Sequence, residues 1–214
     1  MSRGRMQVRV EVVVFAIRAG KLRVLLAPPE GGVRALPGGI PGGDESLDAA
    51  ARRVLGEATG NDDLYLEQLY TFSEPRRAGA GGRISVAYFA IAPGAGGQDA
   101  AGFSPARRPP RLVRDHGRIL ALGVERLRTK TEYSTVPLRF LEEPFTLSEV
   151  QAVYEVLLDR PLDKRNFRRK MLALEAIEET AGRRRVGAHR PARLFRLSPA
   201  RPYLLKERGI LFPF

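Results

Sequence analysis

Six residues within one stretch of seven have the chemistry of a polyanion reader: Lys164, Arg165, Asn166, Arg168, Arg169 and Lys170. Arginine forks onto the N7 and O6 of guanine and asparagine onto the edge of adenine, so Arg165, Asn166 and Arg169 are candidates for base edges. Lys164, Arg168 and Lys170 are candidates for phosphates, with Arg184 and Arg193 further along the chain. On a helix opened by Asp163, the side chains of Phe167, Met171 and Leu174 point inward and the cations fall on the opposite side.

A charge run of this kind also fits an ordinary solvated helix face, and the surrounding elements decide between the two. In residues 145–158, FTLSEVQAVYEVLL, Thr146 and Glu149 have the spacing of a capping box. Phe145 and Val150 have the spacing of a hydrophobic staple. Leu147, Val150, Val153, Tyr154, Leu157 and Leu158 then form one apolar helical face. Pro161 breaks this helix before the cationic one begins, which predicts a helix-turn-helix pair. Arg183, Arg184 and Arg185 follow, and then RPARLFRL (190–197), which alternates like a strand. A helix pair followed by a basic hairpin is the outline of a winged helix, whose second helix enters a DNA major groove.

The charge distribution agrees. The 214-residue chain carries a net charge of +12, and residues 160–196 hold 12 Lys/Arg against 4 Asp/Glu, so two thirds of the excess falls there. Such a patch implies a polyanionic partner bound through counterion release. A membrane surface fits less well, because the segment has no large apolar insertion face. No apolar run reaches the length of a membrane span, and MSRGRMQVRVEV has no signal-peptide core. With no cysteine, disulfides, thiolate metal sites and cysteine nucleophiles are excluded, and the expected compartment is the cytoplasm. His116 and His189 are too far apart to suggest a metal or a triad, and His116 is expected to be structural.

Ahead of the basic half, residues 7–17 and 21–27 read as a hairpin of two strands, and 28–44 as a Pro/Gly-rich loop. Residues 46–58 read as a short helix, 64–72 and 83–91 as further strands, 93–111 as a long irregular loop, and 115–130 as a helix leading to the second domain. Within this order, Gly39 to Gly60 (GIPGGDESLDAAARRVLGEATG) resembles the Nudix box, G-x5-E-x7-R-E-U-x-E-E-x-G-U. Gly39, Glu45, Arg53, Leu55, Glu57 and Gly60 match it. Val54 and Ala58 stand where active members have metal-binding glutamates, and Asn61 replaces the last apolar position. One remaining carboxylate, Glu57, holds hydrated Mg2+ only weakly, so metal-assisted hydrolysis is poorly supported.

Taken whole, the chain resembles the Nudix-related transcriptional regulator family (NrtR). The most specific segments are EQLYTF (67–72), RISVAY (83–88), DHGRIL (115–120) and the helix pair with its hairpin. The resemblance implies an α+β protein: a Nudix-like α/β/α sandwich with a mixed sheet in residues 1–130, and a winged helix with a C-terminal tail in 131–214. It implies a dimeric bacterial repressor that binds double-stranded operator DNA, releases it when ADP-ribose or a related nucleotide fills the Nudix-like pocket, and controls NAD metabolism genes. Neither metal nor cofactor is expected. The loop 73–82 departs from the acidic pattern of NAD-linked members, which leaves the effector open.

For the pocket this reading nominates Gly38, Gly39, Arg53, Glu57, Gln68, Tyr70, Arg83, Ser85 and Tyr88. Arg53 either meets a phosphate directly or orients Glu57, and each tyrosine fits a core position as well as a ligand contact. Arg76 and Arg77 fit either a phosphate contact from the loop or free solvation. Two other readings stand beside the regulator: an Mg-dependent Nudix pyrophosphohydrolase acting on a nucleoside diphosphate derivative, and a nucleic-acid-binding module without effector control.

Overall fold

A computed structural model of the chain describes residues 6–74, 82–94, 102–185 and 191–198. Arg76, Arg77, His189 and the tail from 199 lie outside them. The chain divides into two compact units: residues up to Ala16 with Arg23–Ala92 and the segment ending at Glu125, and then Ile17–Leu22 with the chain from Arg126 onward.

The first unit is built on β1 (Gln7–Arg18), whose run of valines suits a pleated, buried surface. The strands β2 (Lys21–Leu25), β6 (Tyr65–Glu74), β7 (Arg83–Ile91) and β8 (Phe103–Pro105) join it in the order β6-β7-β1-β2-β8. The short β5 (Gly38–Gly39) pairs β1 antiparallel, after a small β3 (Ala27–Glu30) and β4 (Val33–Ala35) ladder. β1 and β7 run parallel, which requires a long crossover. The helix α1 (Leu47–Thr59) lies on it, opened by Ser46, whose Oγ accepts the Ala49 N–H at 3.1 Å, and closed by Gly60 at φ 76°.

Strand alternation sends the two sides of β1 to different helices. Val10, Val12 and Val14, with Val86, Tyr88 and Ala90 of β7, pack on Ala50, Ala51, Val54 and Leu55 of α1. Glu11, Val13 and Phe15 face the other way, toward the helix α2 (His116–Thr131). There Gly123 allows close approach, since a Cβ would lie 3.2 Å from the Phe15 ring. The result is the α/β/α sandwich with a mixed sheet that the resemblance implied.

The second unit holds a 3-10 turn (Val136–Phe140), α3 (Leu147–Leu158), α4 (Lys164–Ala173) and the antiparallel pair β9 (Ile177–Arg184) and β10 (Ala192–Leu197). Val150, Val153, Tyr154, Leu157, Phe167 and Met171 are buried between the helices, with the Tyr154 and Phe167 rings edge to face at 5.4 Å. Phe145 adds a third extended segment, exchanging both backbone hydrogen bonds with Phe195. A helix pair closed by such a small sheet is a winged helix.

Two expectations change. Residues 93–111 are not all irregular, because Phe103–Pro105 pairs with β2 (Val24 opposite Ser104). The Pro/Gly-rich stretch 28–44 likewise carries three short strands. For β8 and β5, pairing to a distant strand overrides a composition that reads as loop, and for β3 and β4 a local ladder with each other does the same.

Candidate functional site

The Nudix-like box is organised by Arg53. Its Nε and Nη2 fork onto the two carboxylate oxygens of Glu45, each at 2.9 Å, and Nη1 reaches Glu57 Oε1 at 3.2 Å. This guanidinium, with the Gly42 N–H, holds the Glu45 carboxyl down to about 2. The same side chain donates to the Ile40 carbonyl, tying the loop to α1. Gly39 lies beside it, where a Cβ would meet Val54 Cγ2 at 3.2 Å and Arg53 Nη1 at 3.6 Å. Val54 is 2% exposed and belongs to the core, whereas Glu57 is well exposed.

The other pocket candidates divide between the two faces of the sheet. Tyr88 is buried toward α1 and donates its hydroxyl to Asp48 Oδ1 at 2.6 Å. Burial and that carboxylate push its phenol far above the usual range. Gln68, its register partner on β6, is exposed. Arg83, Ser85 and Tyr70 lie on the opposite face with Gly38. Tyr70 is exposed and meets Phe72 edge to face at 5.2 Å.

That face has a centre which the sequence reading missed, Glu11. It is fully buried, and its Oε1 accepts from Arg83 Nη2 and from Arg9 Nε at 3.2 Å, with His116 Nε2 at 3.7 Å. Burial pushes its carboxyl upward, but His116, Arg9 and Arg83 together outweigh that and leave it lowered, hence ionised. Glu11 Oε2, Ser85 Oγ, Arg83 Nε and His116 Nε2 are buried without hydrogen-bond partners among the described residues. Buried polar atoms ordinarily find partners, so this cluster holds hydrogen-bonding capacity that the described residues leave unused. The signal was a single carboxylate inside VEVVV.

In the second unit, the capping box forms as spaced: Glu149 N–H donates to Thr146 Oγ1 at 3.2 Å and Thr146 N–H to Glu149 Oε2 at 2.6 Å. The turn into α4 is held by two α3 side chains. Gln151 Nε2 donates to the Leu162 carbonyl at 3.0 Å, and Glu155 Oε1 accepts the Leu162 N–H at 2.9 Å. Asp163 then caps α4, accepting the Asn166 N–H at 2.7 Å. With Phe167 and Met171 buried, Lys164, Arg165 and Arg169 stand exposed, and Asn166, Arg168 and Lys170 are half-buried. Arg169 Nη2 donates to Asn166 Oδ1 at 2.9 Å, which joins two of the base-edge candidates, and Arg168 reaches Ser148 at 3.2 Å. The hairpin cations are paired differently: Arg184 with Glu149 at 2.8 Å and Arg193 with Glu179 at 3.1 Å.

These two units define the class: a Nudix-like domain joined to a C-terminal winged helix. Residues 137–197 match the family model of the NrtR DNA-binding winged helix domain. The ADPR responsive transcriptional repressor NtrR of Acinetobacter baylyi is 32% identical over 203 residues, spanning 88% of this chain and 81% of that protein. NrtR of Shewanella oneidensis in complex with a 27mer DNA superposes with a TM-score of 0.76 at 34% identity, covering 90% of this chain and 94% of that one. Its crystal structure without the DNA gives 0.77 at the same identity, with 93% and 98% covered. A MutT/nudix family protein of Enterococcus faecalis shares the fold, with a TM-score of 0.72 at 24% identity. The chain belongs to the NrtR family.

Proposed function

We propose that this protein is a transcriptional repressor that grips operator DNA with its winged helix and lets go when ADP-ribose, or a related nucleotide, occupies the Nudix-like domain. The observation that carries the reading is the exposed cationic face of α4, capped and packed in a chain similar over nearly its whole length to a protein crystallised on DNA. The A. baylyi relative, by name an ADPR responsive repressor, supplies the effector class. The control of NAD metabolism genes remains part of the proposal.

In this reading residues 1–130 form the effector domain and 131–214 the DNA-binding domain, and the protein acts in the cytoplasm as a homodimer. Arg165, Asn166 and Arg169 meet base edges, while Lys164, Arg168, Lys170 and Arg193 meet phosphates. Arg184 contributes as an anchored cation, already bonded within the winged helix. The proposed ligand set is Gly38, Tyr70, Arg83 and Ser85 on the Glu11 face of the sheet, Gln68 and Tyr88 on the α1 face, and Gly39, Arg53 and Glu57 at the box.

The box itself does not suit hydrolysis. Arg53 engages both Glu45 and Glu57, and of the two positions that lack a glutamate Val54 is packed in the core and Ala58 carries no carboxylate. These residues do not fit a divalent cation that needs several free carboxylate oxygens. The test is a titration of ADP-ribose onto the protein bound to a labelled operator duplex selected from random sequence. Release at nucleotide concentrations that leave the nucleotide intact supports the repressor. Mg2+-dependent consumption of ADP-ribose, lost in Glu57→Gln, supports the hydrolase instead.

A further inference from the structure

The segment leading into α2, and His116 at its first turn, are stitched to β4 and to Leu36, two residues ahead of Gly38, by a short series of bonds. Arg34 N–H donates to the Arg111 carbonyl at 3.1 Å, and Val113 N–H to the Arg34 carbonyl at 2.9 Å. The Leu36 N–H donates to His116 Nδ1 at 2.9 Å. Nδ1 is thus the accepting nitrogen, and Nε2 is the one that faces Glu11 Oε1, at 3.7 Å. His116 is 3% exposed, so no water competes freely for either nitrogen. One side chain thus addresses Leu36, on the link that leads into the glycine strand, with one nitrogen and the buried carboxylate of β1 with the other. Gly38 closes the triangle: a Cβ there would fall 1.9 Å from Glu11 Oε2. From His116 the helix continues unbroken to Thr131, past Glu125, where the first compact unit ends.

We propose that His116 is the positioning residue that couples the effector pocket to α2. A ligand group that draws on Glu11 or displaces Gly38 alters the two partners of His116, and with them the seat of the helix that runs on into the DNA-binding half. This rests on the effector reading above and adds to it the residue through which occupancy is transmitted. A ligand shifts an equilibrium only by its unequal affinity for two arrangements, and His116 supplies the difference because its two partners lie on separate segments, Leu36 in the link ahead of β5 and Glu11 on β1.

The test uses the full chain, the selected operator duplex and ADP-ribose. Operator affinity is measured by anisotropy with and without nucleotide, and nucleotide affinity by calorimetry, for wild type, His116→Phe and His116→Gln. For the wild type, ADP-ribose is expected to weaken operator binding by roughly 5- to 150-fold, the usual span of allosteric coupling. His116→Phe is expected to bring the ratio of operator affinities with and without saturating nucleotide to within about two-fold of one, whatever it does to either affinity alone. His116→Gln, whose amide can still accept from Leu36 and donate toward Glu11, recovers most of the coupling. A role confined to packing would lower the melting temperature and leave the ratio unchanged. If His116→Phe does not fold, His116→Asn, too short to span both partners, takes its place against His116→Gln. Equal coupling in wild type and the disrupted variant overturns this inference alone. A wild type indifferent to ADP-ribose overturns the effector reading, and this inference with it.

Discussion

Arg184, on the wing strand, donates from Nη1 to Glu149 Oε1 at 2.8 Å, and the same guanidinium bonds the Pro144 carbonyl. Glu149 is also the capping residue of α3, so one carboxylate closes the helix start and anchors the wing. Both side chains are close to two-fifths exposed, so the ion pair itself adds only about 0.2–1 kcal/mol to stability. Its larger effect is geometric. Arg184→Ala is expected to lower the urea midpoint slightly while weakening operator binding severalfold. Arg184→Lys, which cannot fork onto two acceptors, is expected to behave nearly as badly. Full operator affinity in Arg184→Lys would show that the anchor is not needed.

Lys164 is exposed on the first turn of α4 and is assigned to a phosphate. Lys164→Ala is therefore expected to weaken binding to operator and to unrelated duplex alike, and to reduce the slope of log K against log salt by about 0.9. An unchanged slope would remove Lys164 from the interface.

Glu45 has a folded-state pKa of about 2 against an ordinary 4.5, because Arg53 and the Gly42 N–H favour its charged form. A depressed carboxylate stabilises the fold at pH values above its unfolded pKa, and that contribution is lost as pH falls through the folded value. Glu45→Gln is thus expected to be less stable than wild type near neutrality, with the gap closing between pH 4.5 and 2. Melting curves across that range are the measurement, and parallel curves for the two proteins would contradict the assignment.

Val54→Glu restores the residue that the Nudix pattern has at this position, but here the side chain is packed among Val10, Val12, Ala50 and Leu55. An unpaired carboxylate buried there is expected to cost roughly 2–4 kcal/mol in a urea unfolding experiment. No hydrolysis is expected to appear. A stable Val54→Glu/Ala58→Glu variant that consumes ADP-ribose with Mg2+ would mean that the box had kept its catalytic geometry.

The parts that were legible in the sequence are those fixed by short-range chemistry. The Thr146–Glu149 box, the Asp163 cap and the inward Phe167 and Met171 all follow from residues within a turn or two of one another, and the helix pair stands where that spacing put it. The succession of strands, loop and helix along the first half followed from the alternation of apolar residues and the box, whereas the order of strands within the sheet did not. Glu11 was not legible, since its partners Arg83 and His116 come from other elements far along the chain. The Arg184–Glu149 anchor crosses 35 positions for the same reason. β8 escaped notice because pairing with β2, not its own composition, makes it a strand.

The central claim is that α4 reads base edges, and Arg169, bonded to Asn166 on the exposed face of that helix, is the place to test it. Anisotropy of Arg169→Ala against the operator and against a scrambled duplex of equal length separates base reading from charge. Arg169→Ala is expected to lose about 1–3 kcal/mol on the operator, with only the small loss of one cation on the scrambled duplex. An equal loss on both duplexes, or none on either, would contradict it.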